Sequence, residues 1–282
     1  MISCNPETDP PSGLASEVAE RACPICRAAM RHVFDKVILR KYHGQYDFCD
    51  ECGFLRVRKP HWLAEAYIAA IAAADTGIMA RNLAIADKLS VICDRVLRSR
   101  GPYLDFGAGH GILVRLMRDR GFDFRWSDEH AENHYARGFE YGPRDDDCTA
   151  VTAIELLEHV VDPLAVIRAA LAACRSRTFI FTTELFTGDP PADWWYYAAT
   201  EGQHIAFFRR DTLERMGHEL GLRLVSENGV HVFSDRNISP SGLRAATSRI
   251  GRLLGKLRDR RRASLMMSDH VRISNELDRA RG

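Results

Sequence analysis

Four cysteines stand in two CxxC pairs, formed by Cys23 and Cys26 and by Cys49 and Cys52. Each pair makes a tight turn that directs two thiolates towards one point, and two such turns supply the four sulfurs of a tetrahedral zinc site. Two disulfides are the alternative, which a reducing compartment disfavours. We therefore predict one Zn²⁺ ion held by four thiolates, and because no coordination position stays open its role is structural.

A glycine-rich segment, Gly107-Ala-Gly109-His-Gly111, follows a short apolar strand and precedes a helical pattern. Glycines let the backbone approach a ligand closely, and the free N–H groups of a helix N-terminus complete a nucleotide cradle. The dinucleotide fingerprint needs Gly or Ala at the position of Ile112, so a dinucleotide is disfavoured. The acid two residues before the first glycine, Asp105, suits a cationic ligand better than a pyrophosphate.

A second carboxylate, Asp128, lies 21 residues after Gly107, beyond the predicted strand Phe122 to Trp126. In a doubly wound sheet this position binds the ribose hydroxyls of an adenosine, since two carboxylate oxygens match a vicinal diol. Further buried strands are predicted at Ala150 to Ile154 and at Thr178 to Thr183. Alternating strands and helices indicate an α/β fold with a doubly wound parallel sheet, whose site lies at the carboxyl ends of the strands.

The other parts of the chain are arranged around this sheet. We expect a flexible N-terminus over residues 1–20, a zinc ribbon over 21–60, a helical connector over 61–100, the ligand-binding domain over 101–238 and a basic helical tail over 239–282. Apolar residues at helical spacing define the connector, which Asp75-Thr-Gly77 interrupts. Tyr67 of the connector is predicted to lean over the ligand, the alternative being a solvated helix face.

Three segments together resemble the motifs of the class I S-adenosylmethionine-dependent methyltransferases. They are Asp105-Phe-Gly-Ala-Gly-His-Gly111, Asp128, and Glu155-Leu-Leu-Glu-His159-Val-Val-Asp-Pro163. With the leading cysteines and the segment Gly202 to Phe208, the chain is similar to zinc-ribbon proteins related to sugar C-methyltransferases. The resemblance covers about Gly101 to Phe233.

This resemblance implies a Rossmann-like methyltransferase domain over residues 101–238 that binds S-adenosylmethionine. The glycine loop would hold the methionine part of the cofactor and Asp128 its ribose, and the stretch around Glu155 would line the site. The implied acceptor is a small molecule, a sugar or a sugar nucleotide.

Methyl transfer to a hydroxyl or to an activated carbon requires a base that removes a proton. The candidates are His204, His159, Glu158 and Glu201. A histidine suits the role because its unperturbed pKa, about 6.5, is close to working pH. The resemblance favours His204, since sugar C-methyltransferases carry a Glu-His pair at this kind of segment. Here Gln203 precedes the histidine and cannot take a proton, so either Glu201 assists or the reaction is an O-methylation with His204 alone.

Two further segments lie near Glu201 and His204 in the chain. The aromatic run Asp193-Trp-Trp-Tyr-Tyr197 is either a wall on which a sugar ring stacks or a hydrophobic plug over the sheet edge. Downstream, Asp211 and Glu214 predict a capping box for a helix that ends at Leu220.

Charge is distributed unevenly along the chain. Residues 242–282 hold 11 basic and 4 acidic residues, a formal charge of +7, which leaves −6 for residues 1–241. Within the tail, Ser248 to Arg262 predicts a basic amphipathic helix with Ile250, Leu253, Leu254 and Leu257 on one stripe. Such a helix contacts an anionic membrane surface or a partner, or it docks on the body with its basic face solvated.

The composition excludes several classes of protein. With 46% apolar and 27% charged residues, disorder throughout is excluded. No apolar stretch approaches the ~18 residues of a membrane span, and no secretory signal begins the sequence, so we expect a cytoplasmic protein. The acidic body argues against nucleic acid as a partner. An RNA methyltransferase that uses ribbon and tail, and a non-catalytic interaction module, are the alternative functions.

Overall fold

The computed structural model describes residues 22–68, 75–142 and 147–281, so the predicted N-terminal segment 1–20 lies outside the described residues. The strands are β1 (Arg31–Ile38), β2 (Tyr42–Phe48), β3 (Leu55–Arg58), β4 (Tyr103–Phe106), β5 (Phe124–Ser127), β6 (Ala150–Ile154), β7 (Thr178–Thr182), β8 (Ala206–Phe207), β9 (Arg223–Glu227) and β10 (Val230–Ser234). The α-helices are α1 (Leu63–Ala66), α2 (Ile78–Val91), α3 (Ile112–Asp119), α4 (Pro163–Ala173), α5 (Arg210–Leu220), α6 (Pro240–Thr247), α7 (Arg249–Asp259) and α8 (Met266–Arg281).

The larger sheet has six strands in the order β5-β4-β6-β7-β10-β9. The first four are parallel, as the sequence predicts. The predicted parallel arrangement does not extend to the other edge, where β10 is antiparallel to both β7 and β9. Asn228 and Gly229 join β9 to β10 with φ of 52° and 73°, the backbone of a tight hairpin turn, and a hairpin makes adjacent strands antiparallel.

Helices cover both faces of this sheet. Successive strand residues point to opposite faces, and in β7 the buried Phe179 and Phe181 pack with one cluster of core residues while Ile180 packs with another. The first cluster includes residues of α4 and α5, and the second includes residues of α2, α3 and α6. The predicted doubly wound α/β architecture is therefore confirmed.

The smaller sheet has the order β1-β2-β3-β8. Its first three strands form an antiparallel meander. The first CxxC pair precedes β1, and the second lies between β2 and β3. The fourth strand comes from far along the chain, and Leu55 and Arg56 of β3 pair with Phe207 and Ala206. The N-terminal unit is thus joined to the rest of the protein by backbone hydrogen bonds.

Helix α5 differs from its predicted beginning. The helix begins at Arg210, and the Arg209 N–H donates to Thr212 Oγ1 at 3.1 Å. The predicted box of Asp211 and Glu214 does not form, because both side chains pair with arginines instead, Asp211 with Arg209 and Glu214 with Arg210. Among the described residues, no helix combines the length and apolar character that a membrane span requires.

Candidate functional site

The four cysteines of the CxxC pairs meet at one point of the N-terminal unit. Their Sγ atoms all lie within 4.8 Å of one another, with Cys23 to Cys52 at 3.6 Å and Cys26 to Cys49 at 3.4 Å. A disulfide needs about 2.0 Å between sulfurs. Tetrahedral zinc with Zn–S bonds of ~2.3 Å places its sulfurs about 3.8 Å apart. The spacing therefore fits a bound zinc ion and excludes S–S bonds in this conformation.

The glycine loop turns sharply between β4 and α3. Gly107, Gly109 and Gly111 all have positive φ, and a Cβ at Gly107 would lie 2.8 Å from Leu156 Cδ1. A Cβ at Gly109 would meet nothing within 4 Å, so its backbone borders open space. The Trp126 Nε1–H donates to Gly109 O at 2.7 Å and thereby fixes the loop against β5. The loop thus leaves open space beside Gly109.

Two carboxylates flank this loop in different environments. Asp128 accepts from the Gly109 N–H with Oδ2 at 2.8 Å, and its Oδ1 accepts from the N–H groups of His130 and Ala131. Asp105 is only 2% exposed and accepts from Thr152 Oγ1 at 2.6 Å. Burial raises its pKa to about 7, Thr152 opposes the shift, and the charge of Asp128 adds to it. Asp105 is therefore a buried group behind the loop, whereas Asp128 borders it.

The two predicted histidines lie together beyond the end of β6. The His159 and His204 rings meet edge to face with centroids 4.7 Å apart, and the Tyr67 hydroxyl is 2.9 Å from His159 Nδ1. Glu158 is fully buried beside them, with its Oε1 accepting from the Tyr196 hydroxyl. The structure thus brings together Tyr67 and three of the four predicted base candidates.

The tautomer of His204 follows from its contacts. Nδ1 lies 2.7 Å from the backbone oxygen of Tyr196, and because a carbonyl only accepts, Nδ1 must carry the proton. In the neutral ring the lone pair is then on Nε2. Burial lowers the pKa of His204, opposed by the Tyr196 carbonyl and the charge of Glu201, so the ring is neutral at pH 7. His204 is oriented to accept a proton at Nε2.

His159 is a weaker base than His204. Burial lowers its pKa to about 3, and the neighbouring His204 lowers it further, while a hydrogen bond to the Gln203 backbone acts in the opposite direction. A base with so low a pKa holds a proton poorly at working pH. Of the two histidines, His204 is the one suited to proton removal.

Glu158 is a carboxyl group in an apolar environment. Its Oε2 has no hydrogen-bond partner among the described residues. Burial raises its pKa to about 8, and the Tyr196 hydroxyl opposes this shift. Glu158 is accordingly protonated and neutral near pH 7, which removes it as a general base there.

The proton on Glu158 gives a pH-dependent stability that can be tested. Folding raises its pKa from 4.5 to about 8, so between these values the folded chain keeps a proton that the unfolded chain has lost. This stabilisation is complete below pH 4.5 and is lost as the pH rises through 8, with a slope of about 1.4 kcal/mol per pH unit.

Urea denaturation from pH 5 to pH 8 should show a flatter decline of the unfolding free energy for Glu158→Gln than for the wild type. The exposed control Glu214→Gln should keep the wild-type slope, and parallel profiles for wild type and Glu158→Gln would contradict the assignment.

The other predicted residues lie around the histidines. Glu155 has φ of 51° and forms an ion pair with Arg81 at 2.9 Å. Left-handed backbone at a non-glycine residue is typical of functional sites. The Glu201 carboxylate accepts a hydrogen bond from the Thr200 hydroxyl, and its interaction with His204 is electrostatic. The Gln203 side chain turns away and donates to the Ala66 carbonyl at 2.8 Å.

The aromatic run is mostly a plug. Trp194, Tyr196 and Tyr197 pack into the core of the smaller sheet, whereas Trp195 is 74% exposed and its ring contacts Tyr196 at 5.3 Å between centroids. Tyr196 thus acts on the site in two ways, through its hydroxyl to Glu158 and through its backbone oxygen to His204. The sequence gives no signal for the second contact, because every residue has a carbonyl oxygen.

Comparison with known proteins establishes the family. A family model described as a methyltransferase domain matches residues 79–227, just over half of the chain. The chain belongs to this methyltransferase family. The match places a methyltransferase domain across most of the larger sheet. The matched residues run from α2 to β9 and contain the glycine loop, Asp128 and both histidines.

Solved structures resemble this methyltransferase only distantly. TnmH is 20% identical, with 62% of this chain and 60% of that chain covered and a TM-score of 0.41. An O-methyltransferase family protein from Burkholderia thailandensis is 16% identical (61% and 66% covered, TM-score 0.39), and the mitomycin 7-O-methyltransferase MmcR is 13% identical (62% and 67%, TM-score 0.36). The methyltransferase thus spans less than two thirds of the length of TnmH. No curated protein matches the sequence.

Proposed function

We propose that this protein transfers a methyl group from S-adenosylmethionine to a hydroxyl of a small, carbohydrate-type acceptor, with His204 as the base. The observation that carries the proposal is the hydrogen bond from His204 Nδ1 to the Tyr196 carbonyl, which leaves Nε2 free in a neutral ring. That ring lies within the segment that the methyltransferase model matches.

The region around the glycine loop has the features that the cofactor needs. When bound, S-adenosylmethionine supplies a methyl group on a positively charged sulfur. The open space beside Gly109 would take the methionine part, and Asp128, directly after β5, would accept from the ribose hydroxyls. Of the nearby carboxylates, Asp128 at the border of the loop would be the one that faces the cationic ligand.

The histidine pair would prepare the acceptor. His204 would take the hydroxyl proton at Nε2 while the oxygen bonds to the methyl carbon and the sulfur–methyl bond breaks, because a general base in this position raises the nucleophilicity of a hydroxyl. His159 packs edge-on against His204 and forms a hydrogen bond with the Tyr67 hydroxyl. We therefore assign His159 and Tyr67 as positioning residues. The neutral Glu158 holds Tyr196, and Tyr196 in turn fixes the His204 ring.

Two features favour a hydroxyl on a carbohydrate. The exposed indole of Trp195 contacts Tyr196 beside the base and offers a face on which a sugar ring stacks. Gln203 points to α1 and provides no carboxylate next to His204, which leaves a single base, as O-methylation requires. The sequence resemblance to sugar C-methyltransferases implies the same acceptor class, although with transfer to carbon.

The proposal is tested by labelling the product. The full-length protein is incubated with methyl-labelled S-adenosylmethionine and a pool of sugars and sugar nucleotides, and the labelled product is identified by mass spectrometry and NMR. We expect the label on a sugar oxygen. Label on a sugar carbon would show that the reaction is a C-methylation and not an O-methylation. Label only on RNA would overturn the proposed acceptor class. Failure to bind the cofactor in a calorimetric titration would overturn the enzymatic role.

We also infer that the Cys4 cluster holds zinc in a structural role. Four thiolates complete a tetrahedral shell and leave no position for substrate. The cluster is anchored to the catalytic part as well, since Thr212 Oγ1 of α5 donates to the Cys52 carbonyl at 2.8 Å.

A further inference from the structure

Helix α7 packs on the body through its polar side. Gly255 is fully buried in the contact, and a Cβ at this position would clash with Val91 of α2. Next to it, Lys256 Nζ forms an ion pair with Asp87 at 2.9 Å. The small glycine and the ion pair bring this side of α7 close against α2.

The opposite side of α7 is apolar and faces solvent. Ile250, Leu253, Leu254 and Leu257 are between 49% and 72% exposed. Because successive helical residues are rotated by about 100°, these four residues share one face, on which Ile250, Leu253 and Leu257 lie opposite Gly255 and Leu254 lies at the side. We call them the apolar face of α7. A helix that docks on a soluble body normally turns its apolar face inward, so the orientation here is reversed.

Unpaired cations border the apolar face of α7. Arg249 at the start of the helix, and Arg260 and Arg261 just after its end, are exposed. None of these three side chains has an ion pair among residues 22–68, 75–142 and 147–281. The surrounding segment 242–282 has a formal charge of +7, against −6 for the rest of the chain. The apolar side chains and the basic rim thus form one amphipathic surface.

We propose that the apolar face of α7 binds the surface of an anionic lipid bilayer. The helix would lie in the plane of the interface, with its leucines at the acyl boundary and the arginines against phosphate groups. Each cation near an anionic surface strengthens binding by roughly fivefold. A second copy of this chain fits less well, because pairing two such faces would place unpaired arginines of both copies side by side.

Vesicle sedimentation with the full-length protein tests this proposal. We expect binding to vesicles of phosphatidylcholine mixed with phosphatidylglycerol, little binding to phosphatidylcholine alone, and weaker binding as salt rises. The double variant Leu253→Asp/Leu257→Asp should lower the partition coefficient by about tenfold or more, since it removes two apolar side chains from the interface. Both positions are exposed, so circular dichroism should show an unchanged fold.

The matched control is Leu277→Asp on α8, whose leucine is 53% exposed and lies outside the apolar face of α7. It should bind vesicles as the wild type does. Wild-type protein that stays in solution with anionic vesicles would overturn the proposal, and so would equal binding by the double variant. If the wild type does not bind vesicles but forms a dimer, and if the double variant is a monomer, the proposal is overturned and the apolar face of α7 binds a second copy of the chain.

Discussion

Replacing His204 by glutamine is expected to lower kcat for methyl transfer by about 10²–10⁴-fold, the usual contribution of a general base. Glutamine keeps a similar size and its amide can still donate to the Tyr196 carbonyl, but it has no basic nitrogen to take the place of Nε2. The measurement is steady-state kinetics on the acceptor identified by labelling. The affinity for S-adenosylhomocysteine, measured by calorimetry, should stay within about twofold, because the variant removes a proton acceptor and not a cofactor contact.

Two comparisons make the His204 result specific. His218→Gln changes an exposed histidine on α5 and should leave kcat unchanged. His159→Asn should lower kcat less than His204→Gln, since a group with a pKa of about 3 positions the neighbouring ring and does not take the proton. A His204→Gln enzyme within tenfold of the wild type would refute the assignment of the base.

Removal of the zinc is expected to destabilise the protein strongly. In Cys49→Ser one thiolate of the cluster is lost, and we expect bound zinc, measured by elemental analysis, to fall from one ion per chain to none. Structural zinc binding contributes many kcal/mol to folding, and for a protein of this size each kcal/mol shifts Tm by about 2–4 °C. The melting temperature should therefore fall by about 10 °C or more.

The matched control for the zinc experiment is Cys148→Ala. Cys148 is also buried, but it lies outside the N-terminal unit. This variant should keep the zinc ion and should lower Tm far less than Cys49→Ser. If Cys49→Ser retains one zinc per chain, or loses it with no change in Tm, the structural role is wrong.

Local sequence signals predicted much of the fold correctly. The spacing of the four cysteines predicted their convergence, and the glycine segment predicted the turn between β4 and α3. The glycine turn is set by residues close together in the chain, where steric preferences act directly, and the convergence of the two pairs was predictable because four thiolates at this spacing are typical of one metal site. The predicted helix and strand pattern also gave the doubly wound architecture, apart from the antiparallel edge.

Features that depend on distant contacts were not predictable. Strand β8 has only two residues, Ala206 and Phe207, too few to show periodicity, and its partner β3 lies about 150 positions earlier. In α7 the periodicity identified the residues that share a face. It did not tell which face turns inward, because that depends on Gly255 meeting Val91. The role of Tyr196 rests on a backbone oxygen, which carries no residue-type signature.

The pairing of β3 with β8 makes the N-terminal unit a structural part of the candidate site. Val57 of β3 donates to the Ile205 carbonyl, and the Ile205 N–H donates to the Glu158 carbonyl, both at 2.8 Å. Ile205, the residue next to His204, therefore links the smaller sheet to the histidine pair. A shortened protein that lacks the first 60 residues would leave the Ile205 carbonyl and strand β8 without their partners in β3, so neither half is expected to work as an independently expressed module.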